Sequence, residues 1–179
     1  MEASGPYRPP RQVVPGSRGE DRDLLSDELV AELLRATLIA KLATLDRDGL
    51  IHLVAMWFLH QDGRLFIPTS STTRKIRNLE RNPRSTVMID DSRGGFDLRG
   101  VTLNGRAEIL HGEAARELNR RVHLKYVTAK GLALAAVRDY LATDDVTIAF
   151  QPERVSSWNL RSTEQCRALS EHGLQRPLD

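Results

Sequence analysis

The sequence predicts a mainly β protein with helices (α+β), built on a small antiparallel barrel. Three observations carry that expectation. Asp48-Gly49 and Asp62-Gly63 each sit between apolar runs, a strong signal for tight antiparallel turns. The run between them, Leu50 to Leu59, has no polar residue from Leu53 onward. Burial on both faces follows, which in an antiparallel sheet fits a closed barrel covered on its outside, for example by a second subunit. Further on, Val101, Leu103, Gly105 and Ala107 alternate with polar partners, the period of a strand with one buried face.

Composition bounds the function. A chain of 179 residues suits one domain with a single core. The net charge of +2 argues against a broad nucleic-acid-binding surface. Cys166 is the only cysteine, so an intramolecular disulfide is excluded and a reducing, cytoplasmic setting is expected. His52, His60, His111, His123 and His172 stand apart, without zinc spacing. No apolar signal core opens the chain, and no run approaches the roughly 20 residues that span a bilayer. No membrane partner is expected.

Taken in order, residues 1–22 are rich in Pro, Gly and Arg, lack a hydrophobic period and read as a disordered arm. The barrel domain is expected over 23–162. Ser26 is placed to cap a helix with Asp27 and Glu28 in its first turn, and Leu29/Leu33 and Val30/Leu34 recur at i, i+4. Strands follow over Leu38 to Leu45, Leu50 to Leu59 and Arg64 to Ile67. A short helix ends before Pro83, and Ser85 to Asp90 is the fourth strand. A turn at Ser92-Arg93-Gly94-Gly95 leads to the fifth strand, Val101 to Leu110, where Gly105 marks a bulge or a close approach. Helices are expected from Glu113 to Tyr126 and from Lys130 to Leu141. Val146 to Phe150 returns to strand, with Val155 to Leu160 continuing or crossing it. Residues 163–179 read as a loose tail.

The chemistry concentrates between Leu65 and Pro83. An apolar strand runs into consecutive hydroxyl residues, Thr69, Ser70, Ser71, Thr72 and Thr73, and then into a helix opening with Arg74 and Lys75. Hydroxyls at a helix start cap backbone N–H groups, and the helix dipole favours an anion there. Arg74, Lys75, Arg77, Arg81 and Arg84 face only Glu80, a local charge of +4. A phosphate group fits such a site; the bland alternative is a capped surface helix with a solvated basic face. The segment lacks interleaved aromatics for stacking bases, so nucleic acid is not an expected partner.

Several stretches, in this order, resemble the flavin-binding split-barrel superfamily of pyridoxamine 5′-phosphate oxidase and its flavin- and deazaflavin-dependent relatives. They are Ala43–Gly49, Val54–Phe58, Gly63–Thr69, Arg74–Pro83, Gly100–Ala107 and Pro152–Trp158. The resemblance implies an antiparallel split β-barrel and a homodimer with two cofactor sites at the subunit interface. It implies that Thr69, Ser70, Ser71, Arg74 and Lys75 hold the cofactor phosphate, with Asn78 in support. It also implies that the ring lies along the second strand against Val54, Ala55, Met56 and Trp57. An apolar wall with free backbone donors suits a flat amphipathic ring, although Met56-Trp57-Phe58 also reads as plain core.

The chain departs from true pyridoxamine-phosphate oxidases. Its second strand lacks their phosphate-reaching arginine, and Trp158 to Ser162 offers Arg161 but no histidine. The Trp57-Phe58 and Arg77-Asn78-Leu79 pattern looks more like the branch that binds a deazaflavin, coenzyme F420, with Arg77 and Arg81 toward its anionic tail. The leading expectation is a deazaflavin-dependent reductase acting on a conjugated small molecule. An FMN-dependent oxidoreductase is the alternative, and a non-catalytic flavin or deazaflavin carrier or sensor is the third reading. Tyr126, Lys125 and His52 are proton-donor candidates by residue type only, and a structural role is the stronger reading for each.

Overall fold

The Asp27 carboxylate accepts hydrogen bonds from the N–H groups of Leu29 and Val30 at 3.0 and 3.3 Å, capping α1 (Glu28–Arg35). The computed structural model describes Leu25 and residues 27–93, 97–161 and 163–174. The expected arm over 1–22 and the expected cap Ser26 lie outside the described residues. Helix α1 buries Val30, Leu33 and Leu34, the i, i+4 face anticipated from the sequence.

The elements after α1 are β1 (Ala40–Leu45), β2 (Ile51–Met56), β3 (Leu59–Gln61), β4 (Arg64–Thr69), α2 (Arg74–Arg81) and β5 (Arg84–Ser92). They continue as β6 (Leu98–Leu110), α3 (Gly112–Tyr126), α4 (Ala129–Leu132), α5 (Ala135–Leu141), β7 (Val146–Asn159) and α6 (Glu164–Glu171). The sheet order is β2-β1-β5-β6-β7-β4-β3, and every strand pairing among the described residues is antiparallel. Strands β2 and β3 lie at opposite edges, yet only Trp57 and Phe58 separate them in the chain. The sheet must therefore curl until its two edges come round to each other without pairing. That is an antiparallel split barrel.

Alternate residues fill it: Ala40 and Leu42 of β1, Val87 and Ile89 of β5, Val101 and Leu103 of β6, Ile148 and Phe150 of β7. Phe58, fully buried, plugs the gap where the chain crosses between the edges. Both Asp-Gly turns form. Asp62 and Gly63 adopt φ of 51° and 71°, the paired left-handed conformation of a two-residue hairpin. The bulge expected at Gly105 is present as a register shift against β7. A Cβ there would lie 2.0 Å from the Gln151 carbonyl oxygen, so only glycine fits.

Three expectations need correction. The second strand does not run to Leu59; it stops at Met56 and the chain re-enters the sheet as β3. Within one chain its outer face is open, with Ile51 and Leu53 73% and 63% exposed, the face a second subunit is expected to cover. The strand buried on both sides is β4, because α3 packs on its outer face through Val122, Leu118 and Tyr126 around Phe66. The helical stretch from Lys130 to Leu141 is two short helices, broken where Leu134 takes an extended conformation. Within the supposed loose tail, Thr163 accepts the Cys166 N–H at 3.3 Å and starts α6, which buries Cys166. Strand β7 continues unbroken through Val155. Among the described residues, no helix is long and apolar enough to cross a membrane.

Candidate functional site

Strand β4 delivers the hydroxyl loop to one end of the barrel. Thr69 is buried at the strand's end, and Ser70 Oγ and Thr72 Oγ1 hydrogen-bond each other at 3.0 Å. Thr73 stands at the N-cap of α2, but its hydroxyl donates back to the Ser70 carbonyl at 2.8 Å and caps no helix N–H. The first turn of α2 thus keeps its positive end without a side-chain acceptor.

The cations of α2 divide sharply. Arg74 pairs with Asp46 in the β1–β2 turn, Arg77 donates to the Thr72 carbonyl at 2.8 Å, and Arg81 donates to the Leu45 carbonyl at 2.6 Å. Asn78, buried, donates to Thr44 Oγ1 at 3.1 Å and anchors the helix to β1. These four hold the helix in place. Lys75 is different: it is 8% exposed and forms no ion pair among the described residues. Burial lowers its pKa, against the opposing pull of the Asp144 charge. Ser71, assigned to phosphate by the resemblance, has both its donors engaged. Its N–H and its hydroxyl each donate to the Asp145 carboxylate at 2.6 Å.

Starting beside α2, β2 is an edge strand, so alternate backbone N–H and C=O groups along it point away from β1 without a strand partner. Val54 and Met56 are half-buried and Ala55 is exposed. From His52, which pairs with Thr44 beside Asn78, to Met56 the strand extends about 13 Å at its usual rise. Trp57 is not a bare wall. Its ring stacks on Tyr126 at 4.9 Å and meets His123 edge-on at 6.2 Å.

The proton-donor candidates fare unevenly. Tyr126 donates its O–H to the Leu38 carbonyl at 2.6 Å, and burial raises its pKa to about 12, so the hydroxyl stays protonated at neutral pH and is committed to the backbone. The Lys125 amine lies 3.8 Å over the Phe58 ring, and burial lowers its pKa to about 8. His52 is half-buried on β2. Arg161 is held by Asp97 and, at 3.2 Å, by Asp91, so it serves the barrel rather than reaching for a ligand.

Residues that the sequence reading did not single out join Trp57 to the hydroxyl loop. His123 Nε2 hydrogen-bonds Asp144 at 3.0 Å, and Asn119 donates to the Asp144 and Val146 carbonyls at 2.9 and 3.1 Å. Thr147 Oγ1 donates to Asn119 Oδ1 at 2.6 Å. The path from Trp57 through His123 and the Asp144-Asp145 turn to Ser71 is continuous. One signal was available: Asn119 and His123 lie four apart on the face of α3 that buries Ala115 and Val122. Polar residues on a buried helix face require partners.

Residues 26–159 match the family model described as Pyridoxamine 5′-phosphate oxidase. The chain belongs to that family. No curated protein matches it. Among solved structures, the pyridoxamine-phosphate-oxidase barrel resembles conserved hypothetical protein Rv2991 from Mycobacterium tuberculosis, at 28% identity and TM-score 0.64, over 75% of this chain and 85% of that one. It also resembles an F420 reductase, at 23% identity and TM-score 0.56, over 70% and 94%. The flavocytochrome Anf3 from Azotobacter vinelandii shares the fold at 20% identity and TM-score 0.63, over 86% and 70%.

Proposed function

We propose that this protein is a flavin- or deazaflavin-dependent oxidoreductase, with coenzyme F420 the favoured cofactor and FMN the alternative. The observation that carries the reading is Lys75: a largely buried side chain whose ammonium has no ion-pair partner among the described residues, beside a helix start with no side-chain cap. Partial desolvation disfavours the Lys75 charge, and a phosphate would supply the opposite charge that offsets it. The unpaired edge of β2 supports a ring with polar substituents. The absence of arginine from Ile51 to Leu59 favours the deazaflavin over FMN. When bound, the cofactor supplies hydride chemistry toward a conjugated organic substrate. The chain's own residues bind and orient: Lys75 and the α2 start take the phosphate, while the backbone of Val54 to Met56 addresses the ring.

The exposed apolar residues Leu45, Ile51 and Leu53 on the outer face of β1 and β2 support a homodimer in which a second copy covers that face and completes the site. The absorbance spectrum of the purified protein, followed by titration with F420 and with FMN, tests the assignment. Lys75→Ala should weaken cofactor binding by about one to two orders of magnitude. Glu80→Ala, on the same helix, should leave binding unchanged or slightly tighter. Equal, small effects of both would leave α2 as scaffold only.

A further inference from the structure

The anion-binding loop already holds an anion, and it comes from the chain itself. The Asp145 carboxylate takes one donor from the Ser71 backbone and one from its side chain, both at 2.6 Å. That is the two-pronged grip a phosphate oxygen pair would use. We propose that Asp145 is an internal stand-in for the cofactor phosphate, so that phosphate binding and release of the α5–β7 turn are one event. The inference rests on the reading that the phosphate binds at the hydroxyl loop and Lys75.

Three features of the turn support it. First, Asp144 and Asp145 present two carboxylates to the region of Lys75 and Ser71, and a phosphate entering there meets like charge unless one of them leaves. Second, the two acids are tied unequally. Asp144 is held by His123 through its side chain and by Asn119 through its carbonyl, whereas Asp145 is exposed and its carboxylate is engaged by Ser71. Asp145 is therefore the one free to leave. Third, the segment leading into the turn is lightly attached. Of residues 129–141, only Leu141 is buried. A cleft of about 410 Å³ between α3 and α5, lined by Arg116, Arg138, Leu141 and Asp145 among others, gives the turn space to move. Arg116 on the cleft wall offers the released carboxylate a new partner.

Competition makes a signed prediction. In the full-length protein, Asp145→Asn keeps the shape of the side chain but removes the charge. It should bind inorganic phosphate and FMN about tenfold more tightly than the parent in calorimetric titration. Asp145→Ala should act in the same direction. Without ligand, Asp145→Ala should show faster amide hydrogen exchange over residues 129–143, because the Ser71 tie is gone, and Asp145→Asn, which keeps one acceptor oxygen, a smaller increase. Unchanged or weaker phosphate binding in both variants, while Lys75→Ala still weakens it, would overturn the stand-in role and leave the cofactor site standing. Lys75→Ala without effect on phosphate binding would overturn the cofactor-site reading, and the stand-in with it. Unchanged exchange over 129–143 would show that the turn is not latched by Asp145.

Discussion

Asp91 is the most heavily partnered acid among the described residues, and it shows how single residues hold this barrel. Burial would raise its pKa, but hydrogen bonds from Arg99, Arg161 and Arg93 more than offset that and hold its carboxyl at about 2, below the ordinary 3.8. Arg99 reaches on to Glu32 of α1 at 2.7 Å and Arg161 to Asp97, so the cluster ties α1, β5, β6 and the end of β7. A depressed carboxylate contributes stability above its unfolded pKa and loses it as pH falls through the folded value. Thermal stability should therefore decline between about pH 4 and 2, and Asp91→Asn should flatten that decline. At neutral pH the variant should cost roughly 1–3 kcal/mol in chemical denaturation. An unchanged acid limb in the variant would mean that the cluster is solvated and idle.

At the scale of elements, the turns are the strictest features. Gly49 takes φ +79° with open space around it, so alanine there meets backbone strain alone, on the order of 1 kcal/mol. Gly105 has the reverse problem: the backbone of Gln151 occupies the space a Cβ needs. Gly105→Ala should destabilise by about 1–3 kcal/mol through displacement of β6 from β7, the larger of the two effects in urea unfolding. Both glycines were legible in the sequence, one from its Asp-Gly pair and one from its place inside an alternating strand. The break between β2 and β3 was not. Trp57 and Phe58 are as apolar as the strands around them, and hydropathy cannot distinguish a residue continuing a strand from one plugging a barrel gap. Likewise β4 and β2 are both apolar runs; which one α3 covers depends on the path of the chain after β6.

For the whole molecule, the decisive feature is the apolar face left open on β1 and β2. If a second copy covers it, Leu53→Glu combined with Ile51→Lys should convert a dimer to a monomer in sedimentation. It should also abolish cofactor binding if, as proposed, the second copy completes the site. A parent chain that sediments as a stable monomer at micromolar concentration with cofactor bound would remove the shared-site model. The curl of the sheet makes this face: it turns one side of each strand into core and leaves the β1–β2 corner outside the cover of α3.

What the sequence determined by itself was local: the hairpin turns, the approximate strand positions, the bulge glycine and the cationic helix behind a hydroxyl loop. These follow from backbone conformations and side-chain periods that act within a few residues. Tertiary structure alone decided which cations were already engaged, since Arg74, Arg77 and Arg81 find partners in the loop and β1 while Lys75 does not. It also placed Asp145 on Ser71, 74 residues away in sequence, and His123 on Asp144. Such contacts depend on how a curled sheet brings distant segments to one end of the barrel, and no local pattern encodes that meeting.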